Sequence, residues 1–234
     1  MREHVTFGKW QVGKICRQLF YIGVIATTLA SAQTPLQSSA RLRLAQDLER
    51  MGQYDRAAEI YFSLFNADPR DGSYYFGLKR VLLELRQYDE LITAINRRLQ
   101  TIDDITTRVD LADVYYKRGD SDRAQTLWKD LLQENPQPGT YSAVAAAMID
   151  NRLYEEALQI YLQGRQQLRN SRLFVLELAN LYTLRLNFTA ATQEYLSYLE
   201  ANPRQFPFVQ SKVNELARDD EKRMEAVVAT LEHK

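Results

Sequence analysis

A recurring stretch constrains the fold of this chain more than any other feature. Residues 51–61 read MGQYDRAAEIY, and the same pattern returns at residues 118–128 (RGDSDRAQTLW) and 151–161 (NRLYEEALQIY). Each copy has a polar bend, a few polar residues, an alanine and an aromatic residue four positions later. Looser copies occupy residues 86–95 and 186–195. An internal repeat of this size decides the whole architecture, so it takes precedence over any single residue.

The period can be measured on the residue that follows each bend. These residues are Tyr54, Tyr88, Ser121, Tyr154 and Phe188, and the step from one to the next is constant to within a single position. Three prolines that end helices, Pro69, Pro136 and Pro203, are separated by two such periods each. This pattern resembles the tetratricopeptide repeat, a helix–turn–helix unit of about 34 residues. The resemblance covers roughly residues 38–203.

The resemblance implies an all-α fold, a right-handed superhelical solenoid of about eleven to twelve short antiparallel helices. We expect five repeats, at residues 38–71, 72–104, 105–137, 138–171 and 172–203. Residues 204–234 are expected to form a C-terminal helical cap or a degenerate sixth repeat. The second repeat departs most from the pattern, because Arg86 replaces the turn glycine and Leu91 replaces the small residue where the helices cross.

Residues 1–32 are predicted to be a signal peptide. A basic start, an apolar run at residues 19–26 and the small residues Ala30 and Ala32 are typical of a segment that is cleaved after Ala32. The run is shorter than the ~20 apolar residues of a membrane-spanning helix. The alternative is an uncleaved signal that anchors the chain in the inner membrane. Residues 33–37 are predicted to be a linker, with Pro35 preventing an early helix.

The composition argues against most catalytic chemistry. The chain has one cysteine, Cys16, and two histidines, His4 and His233, so the sequence offers no His or Cys metal cluster and no His-dependent nucleophile. Its nine glycines fit no phosphate-binding loop. The formal net charge is zero, which gives no reason to expect nucleic acid as a partner. We therefore predict no enzyme activity, cofactor or metal, and interpret acidic pairs such as Asp103–Asp104 as helix starts.

A binding surface remains. In tetratricopeptide proteins the first helices of successive repeats line a concave groove that takes a peptide or a partner helix. Carried over by position, the resemblance implies these groove residues: Gln46, Phe76, Arg80, Leu83, Val109, Asp113, Tyr116, Ile149 and Asn180. Arg80 and Asp113 would be fixed charges that set the register of the partner. Members that bind chaperone carboxyl termini have Lys and Asn where this chain has Leu42 and Gln46, so that function is not expected.

Together these observations predict a non-enzymatic scaffold of the bacterial cell envelope, periplasmic or secreted, that binds another protein. One alternative is a regulator of envelope or cell-wall assembly that acts as a homo-oligomer, through self-association of its C-terminal end. Another is that the chain is the N-terminal fragment of a longer multidomain protein.

Overall fold

The computed structural model describes residues 35–218 and 221–232. The predicted cleavage residues Ala30 and Ala32 lie outside these ranges. The described residues form twelve α-helices, with a short 3-10 turn at Pro203–Gln205. In chain order the helices are α1 (Pro35–Arg50), α2 (Tyr54–Ala67), α3 (Gly72–Glu84), α4 (Tyr88–Leu99), α5 (Ile105–Arg118), α6 (Ser121–Glu134), α7 (Pro138–Asp150), α8 (Tyr154–Gln167), α9 (Val175–Leu184), α10 (Phe188–Ala201), α11 (Phe206–Ala217) and α12 (Glu221–Glu232).

The helices come in pairs that follow the sequence period. Helices α2, α4, α6, α8 and α10 begin at the five residues aligned above, Tyr54, Tyr88, Ser121, Tyr154 and Phe188. Helix α12 begins one period after α10, so α11 and α12 form a sixth pair. The predicted all-α solenoid of helix pairs is confirmed.

Helix α1 begins earlier than the sequence predicts. Pro35 is its first residue, whereas we expected a linker up to residue 37. Proline is tolerated in the first turn of a helix, where its missing N–H would have no partner within the helix.

Each turn inside the first five pairs contains a residue with left-handed backbone. The φ angles are positive at Gly52, Arg86, Gly119, Arg152 and Leu186, which are again one period apart. Glycine adopts this conformation without strain, whereas arginine and leucine do so at a cost. All five turns thus have the same backbone geometry, including the three that contain arginine or leucine in place of glycine.

Small residues let the two helices of a pair approach closely. Ala57, Ala124, Ala157 and Ala191 are fully buried in α2, α6, α8 and α10. The aromatic residue four positions after each of them, Tyr61, Trp128, Tyr161 or Tyr195, is also buried. In α4 the two positions hold Leu91 and Ile95, and α3 and α4 contact each other less closely than the other pairs joined by such a turn.

Gly77 in α3 makes a close approach between repeats. A Cβ atom at this position would overlap the ring of Tyr61 in α2. The first helix of the second repeat therefore lies directly on the periodic aromatic position of the first repeat, with no room for a methyl group.

We expect Gly77→Ala to lower the free energy of unfolding by about 1–3 kcal/mol, because overpacking a close contact forces the ring or the helix to move. Urea unfolding followed by circular dichroism measures the change. Gly139→Ala is the matched control, since no atom lies within 4 Å of a Cβ at that helical position. Equal stability of the two variants would contradict the assignment of Gly77 as a packing residue.

Candidate functional site

Three of the predicted groove residues meet at one cavity. Gln46 in α1 and Arg80 and Leu83 in α3 line an open cavity of about 720 Å³ between these two first helices. The lining is completed by Glu49, Arg50, Tyr54 and Glu84. The cavity is mixed in character, with one aliphatic and one aromatic side chain among polar and charged groups.

Hydrogen bonds hold the charged side chains of Arg80 and Glu49 together in this cavity. Arg80 donates from Nε to Glu49 Oε1 at 2.7 Å and from Nη2 to Oε2 at 3.1 Å. The Tyr61 hydroxyl donates to the same carboxylate at 2.8 Å. The Arg80 guanidinium lowers the pKa of Glu49, while burial and the nearby carboxylate raise the pKa of Tyr61, so the tyrosine stays a donor. Arg80 thus joins the first two repeats and is already neutralised.

The apolar groove residues offer unequal amounts of surface. Phe76 is 42% exposed, and its ring packs at 5.2 Å from that of Tyr75. Leu83, Tyr116 and Ile149 are partly buried against the core. The centroid of the Tyr116 ring lies 5.9 Å from that of the Trp128 ring, so Tyr116 packs against this buried aromatic residue.

Val109 and Asp113 are buried, so neither presents a side chain to a partner. One Asp113 oxygen accepts a hydrogen bond from Asn151 Nδ2 at 2.6 Å and forms an ion pair with Lys117. Lys117 also donates to Asn151 Oδ1 at 2.9 Å. The structure therefore places Asp113 in a link between α5 and the end of α7.

Asn180 lies apart from the cavity, on the short helix α9. Its side chain is exposed, and its Oδ1 atom accepts a hydrogen bond from the Tyr195 hydroxyl at 3.1 Å. The nine predicted residues are therefore spread along the first helices, and three of them, Gln46, Arg80 and Leu83, share one cavity.

An ionic cluster between α3 and α5 was not predicted from the sequence. Asp110 is buried, accepts a hydrogen bond from the Tyr75 hydroxyl at 2.7 Å and forms an ion pair with Lys79. A signal for it exists in the sequence, because Lys79 falls on the periodic position held by Ala45, Ala112, Ala145 and Ala179. A lysine at a position where alanine is otherwise fully buried needs a nearby acid.

Removing the Asp110 carboxylate should cost about 2 kcal/mol of unfolding free energy or more, since Lys79 and the Tyr75 hydroxyl would lose their partner in a buried place. The variant is Asp110→Ala, measured by urea unfolding. Asp89→Ala is the control, because Asp89 also forms an ion pair, with Arg118, but its side chain is 82% exposed. Ion pairs of that kind contribute little. A small effect at Asp110 would show that its cluster is not a structural link.

The acidic pair predicted to mark a helix start does so. Asp104 is the N-cap of α5 and accepts a hydrogen bond from the Thr107 N–H at 2.8 Å. Asp103 pairs with Arg108 through two hydrogen bonds of 2.6 Å. No group of three or more His, Cys, Asp or Glu residues that could hold a metal ion occurs within the described ranges.

Comparison with known proteins gives structural likeness only. No protein-family model matches this sequence, and no curated protein matches it either. Among solved structures, the chain is similar to a tetratricopeptide repeat protein from Parabacteroides merdae, with 14% identity, 94% of each chain covered and a TM-score of 0.44. It is also similar to TTC0263, a tetratricopeptide protein from Thermus thermophilus, with 18% identity, 83% of this chain and 98% of that one covered, and a TM-score of 0.42. PilF of Pseudomonas aeruginosa shows 13% identity over 82% of this chain and 88% of its own, with a TM-score of 0.44.

The helix pairs themselves decide the type of fold. Their second helices begin one period apart, and in the first five pairs a left-handed turn precedes the second helix. Four of these five pairs carry a buried alanine followed by an aromatic residue four positions later. This is a tetratricopeptide-type fold. The resemblance predicted from the sequence is confirmed at the level of the fold.

Proposed function

We propose that this protein is a non-enzymatic scaffold of the bacterial cell envelope that holds a peptide or helix of another protein along its first helices. The observation that carries the proposal is the cavity between α1 and α3, where Gln46, Arg80 and Leu83 converge. The exposed ring of Phe76 adds apolar surface on the same helix as Arg80 and Leu83.

Most charged side chains near this surface are already paired with one another, so we expect the partner to bind mainly through apolar contacts. Glu49 pairs with Arg80, Asp110 with Lys79 and Asp113 with Lys117. A partner that relied on one of these charges would have to displace an existing ion pair. Affinity would come from burying Phe76, Leu83 and Tyr116, at roughly 25 cal/mol per Å² of apolar surface. The Arg80 side chain is 56% exposed and lies at the edge of this surface, where it can influence the orientation of the bound partner.

Site-specific photo-crosslinking in intact cells tests this proposal. A photoreactive amino acid at Gln46 or Leu83 should cross-link to one discrete partner protein. The same probe at Glu59, an exposed position on α2, should not. Leu83→Glu in the chain that carries the probe at Gln46 should remove the product, whereas Leu44→Glu, at an exposed leucine on α1, should preserve it. Equal cross-linking from Gln46 and Glu59, or none at all, would contradict binding at the cavity.

The envelope location rests on residues 1–32 of the sequence. Among the described helices, none is long and apolar enough to cross a membrane. The basic start, the apolar run and the pair Ala30 and Ala32 support export with cleavage after Ala32.

We expect the protein isolated from the cell envelope to begin at Gln33 when its intact mass is measured. Ala32→Asp should leave the signal segment attached, because the processing enzyme reads small residues at positions 30 and 32. Ser31→Asp, at the permissive position between them, should still be cleaved. A wild-type chain that keeps this segment in the membrane fraction would instead support the anchored alternative.

A further inference from the structure

The cavity between α1 and α3 keeps one charged side chain that its own ion pairs do not use. Arg80 is bound to Glu49, and Arg50 forms an ion pair with Asp47. Both bases of the lining therefore already have an acid. The remaining charged residue of the lining, Glu84, is exposed and makes no side-chain hydrogen bond or ion pair with any described residue. Among these groups, one carboxylate is left without a cation.

Glu84 stands at a helix end that disfavours a negative charge. It is the last residue of α3, where the backbone carbonyl groups form the negative end of the helix dipole. Arg50 and Lys117 hold the same periodic position in repeats one and three, and each pairs with an acid of its own helix. Asp150 in repeat four is also an acid but does not line the cavity. The helix dipole therefore does not account for a carboxylate at residue 84, and it adds to the negative potential there.

The uncharged part of the lining suits a long basic side chain. Leu83 and Tyr54 offer an aliphatic and an aromatic surface, and both are partly buried against the core. Gln46 is exposed, and its amide makes no hydrogen bond within the part of the chain that the structure describes. Lysine and arginine combine an apolar stem with a charged head, and a cation is attracted to an aromatic face. The carboxylate, the phenol and the amide supply acceptors for the N–H groups of that head.

We infer that this cavity takes a lysine or arginine side chain of the partner segment, with Glu84 as its counter-ion. The inference rests on the proposed function and specifies the chemistry of the partner at that site. A basic side chain can bind here without breaking an existing ion pair. An acidic side chain would instead meet the charge of Glu84, and it would have to displace Glu49 from Arg80 to find a base. The partner is therefore an apolar segment that carries a basic residue.

Peptide display tests the preference for a base. Random peptides of about 12 residues, displayed on phage, are selected on protein purified from cells that express the full sequence, and those that bind Leu83→Asn equally well are discarded. The remaining, cavity-dependent peptides should carry Lys or Arg at one aligned position. The same selection on Glu84→Lys should replace that residue by Asp or Glu, because opposite charges attract. Glu59→Lys is the matched control, since it reverses an exposed acid on α2 that does not line the cavity, and it should keep the preference for Lys or Arg.

Charge reversal on both sides separates a direct ion pair from a change in the fold. With a selected peptide made synthetically, Glu84→Gln should weaken binding by about 2- to 5-fold, because an exposed ion pair contributes modestly. A peptide whose basic residue is changed to Glu should bind Glu84→Lys more tightly than it binds the wild-type protein. Added salt should weaken the wild-type complex more than the Glu84→Gln complex. Circular dichroism checks that the variants stay folded, which is expected because a lysine suits the last turn of α3.

The results that would overturn the inference differ from those that would overturn the proposed function. If no selected peptide depends on Leu83, binding at the cavity fails and the basic-residue site fails with it. Peptides that depend on Leu83 but show no enrichment of Lys or Arg would support the cavity and overturn the basic-residue site. A preference for Lys or Arg that persists on Glu84→Lys would overturn it too, because another acid would then be the counter-ion. Enrichment of Asp or Glu on the wild-type protein would show that Arg80 or Arg50 leaves its present partner instead.

Discussion

The close approach of two helices at a small residue is the interaction on which the structure depends. In four of the six pairs a fully buried alanine, such as Ala57 or Ala124, lets the helices cross, and an aromatic side chain four positions later fills the space beside it. Gly77 extends the same principle to the contact between repeats, where it accepts the ring of Tyr61. In the second pair, Lys79 and Leu91 occupy the two positions, one on each helix, that hold alanine in the other four of the first five pairs. The buried carboxylate of Asp110 in the next repeat forms an ion pair with Lys79.

Charged side chains along the first helices mainly connect repeats. Glu49 with Arg80 joins the first two, Lys79 with Asp110 joins the second and third, and Asp113 with Asn151 joins the third and fourth. These links use the charges that a partner could otherwise recognise. The apolar groups left at the surface, above all Phe76 and Leu83, are therefore the part of this face best suited to binding.

The first and last described helices differ from the interior ones. In α1, Asp47 stands at a position where the later repeats have buried apolar residues, and Leu36 and Leu44 are exposed. At the last helix, the stripe of Met224, Val228 and Leu231 remains exposed. Because a solenoid repeats only nearest-neighbour contacts, its ends are the places where such differences can arise without disturbing the interior.

The sequence by itself determined the period, the helix pairs and the left-handed turns, because each depends on residues close together in the chain. The starts of α2, α4, α6, α8 and α10 could all be read from the spacing of one periodic position. Tertiary structure decided which side chains reach the surface. Val109 and Asp113 occupy groove positions by analogy yet are buried, and Asp113 owes its environment partly to Asn151 in the next repeat. Likewise, only packing against α10 and α11 turns Val227 inwards and Val228 outwards, since the sequence pattern fits either rotation of the helix.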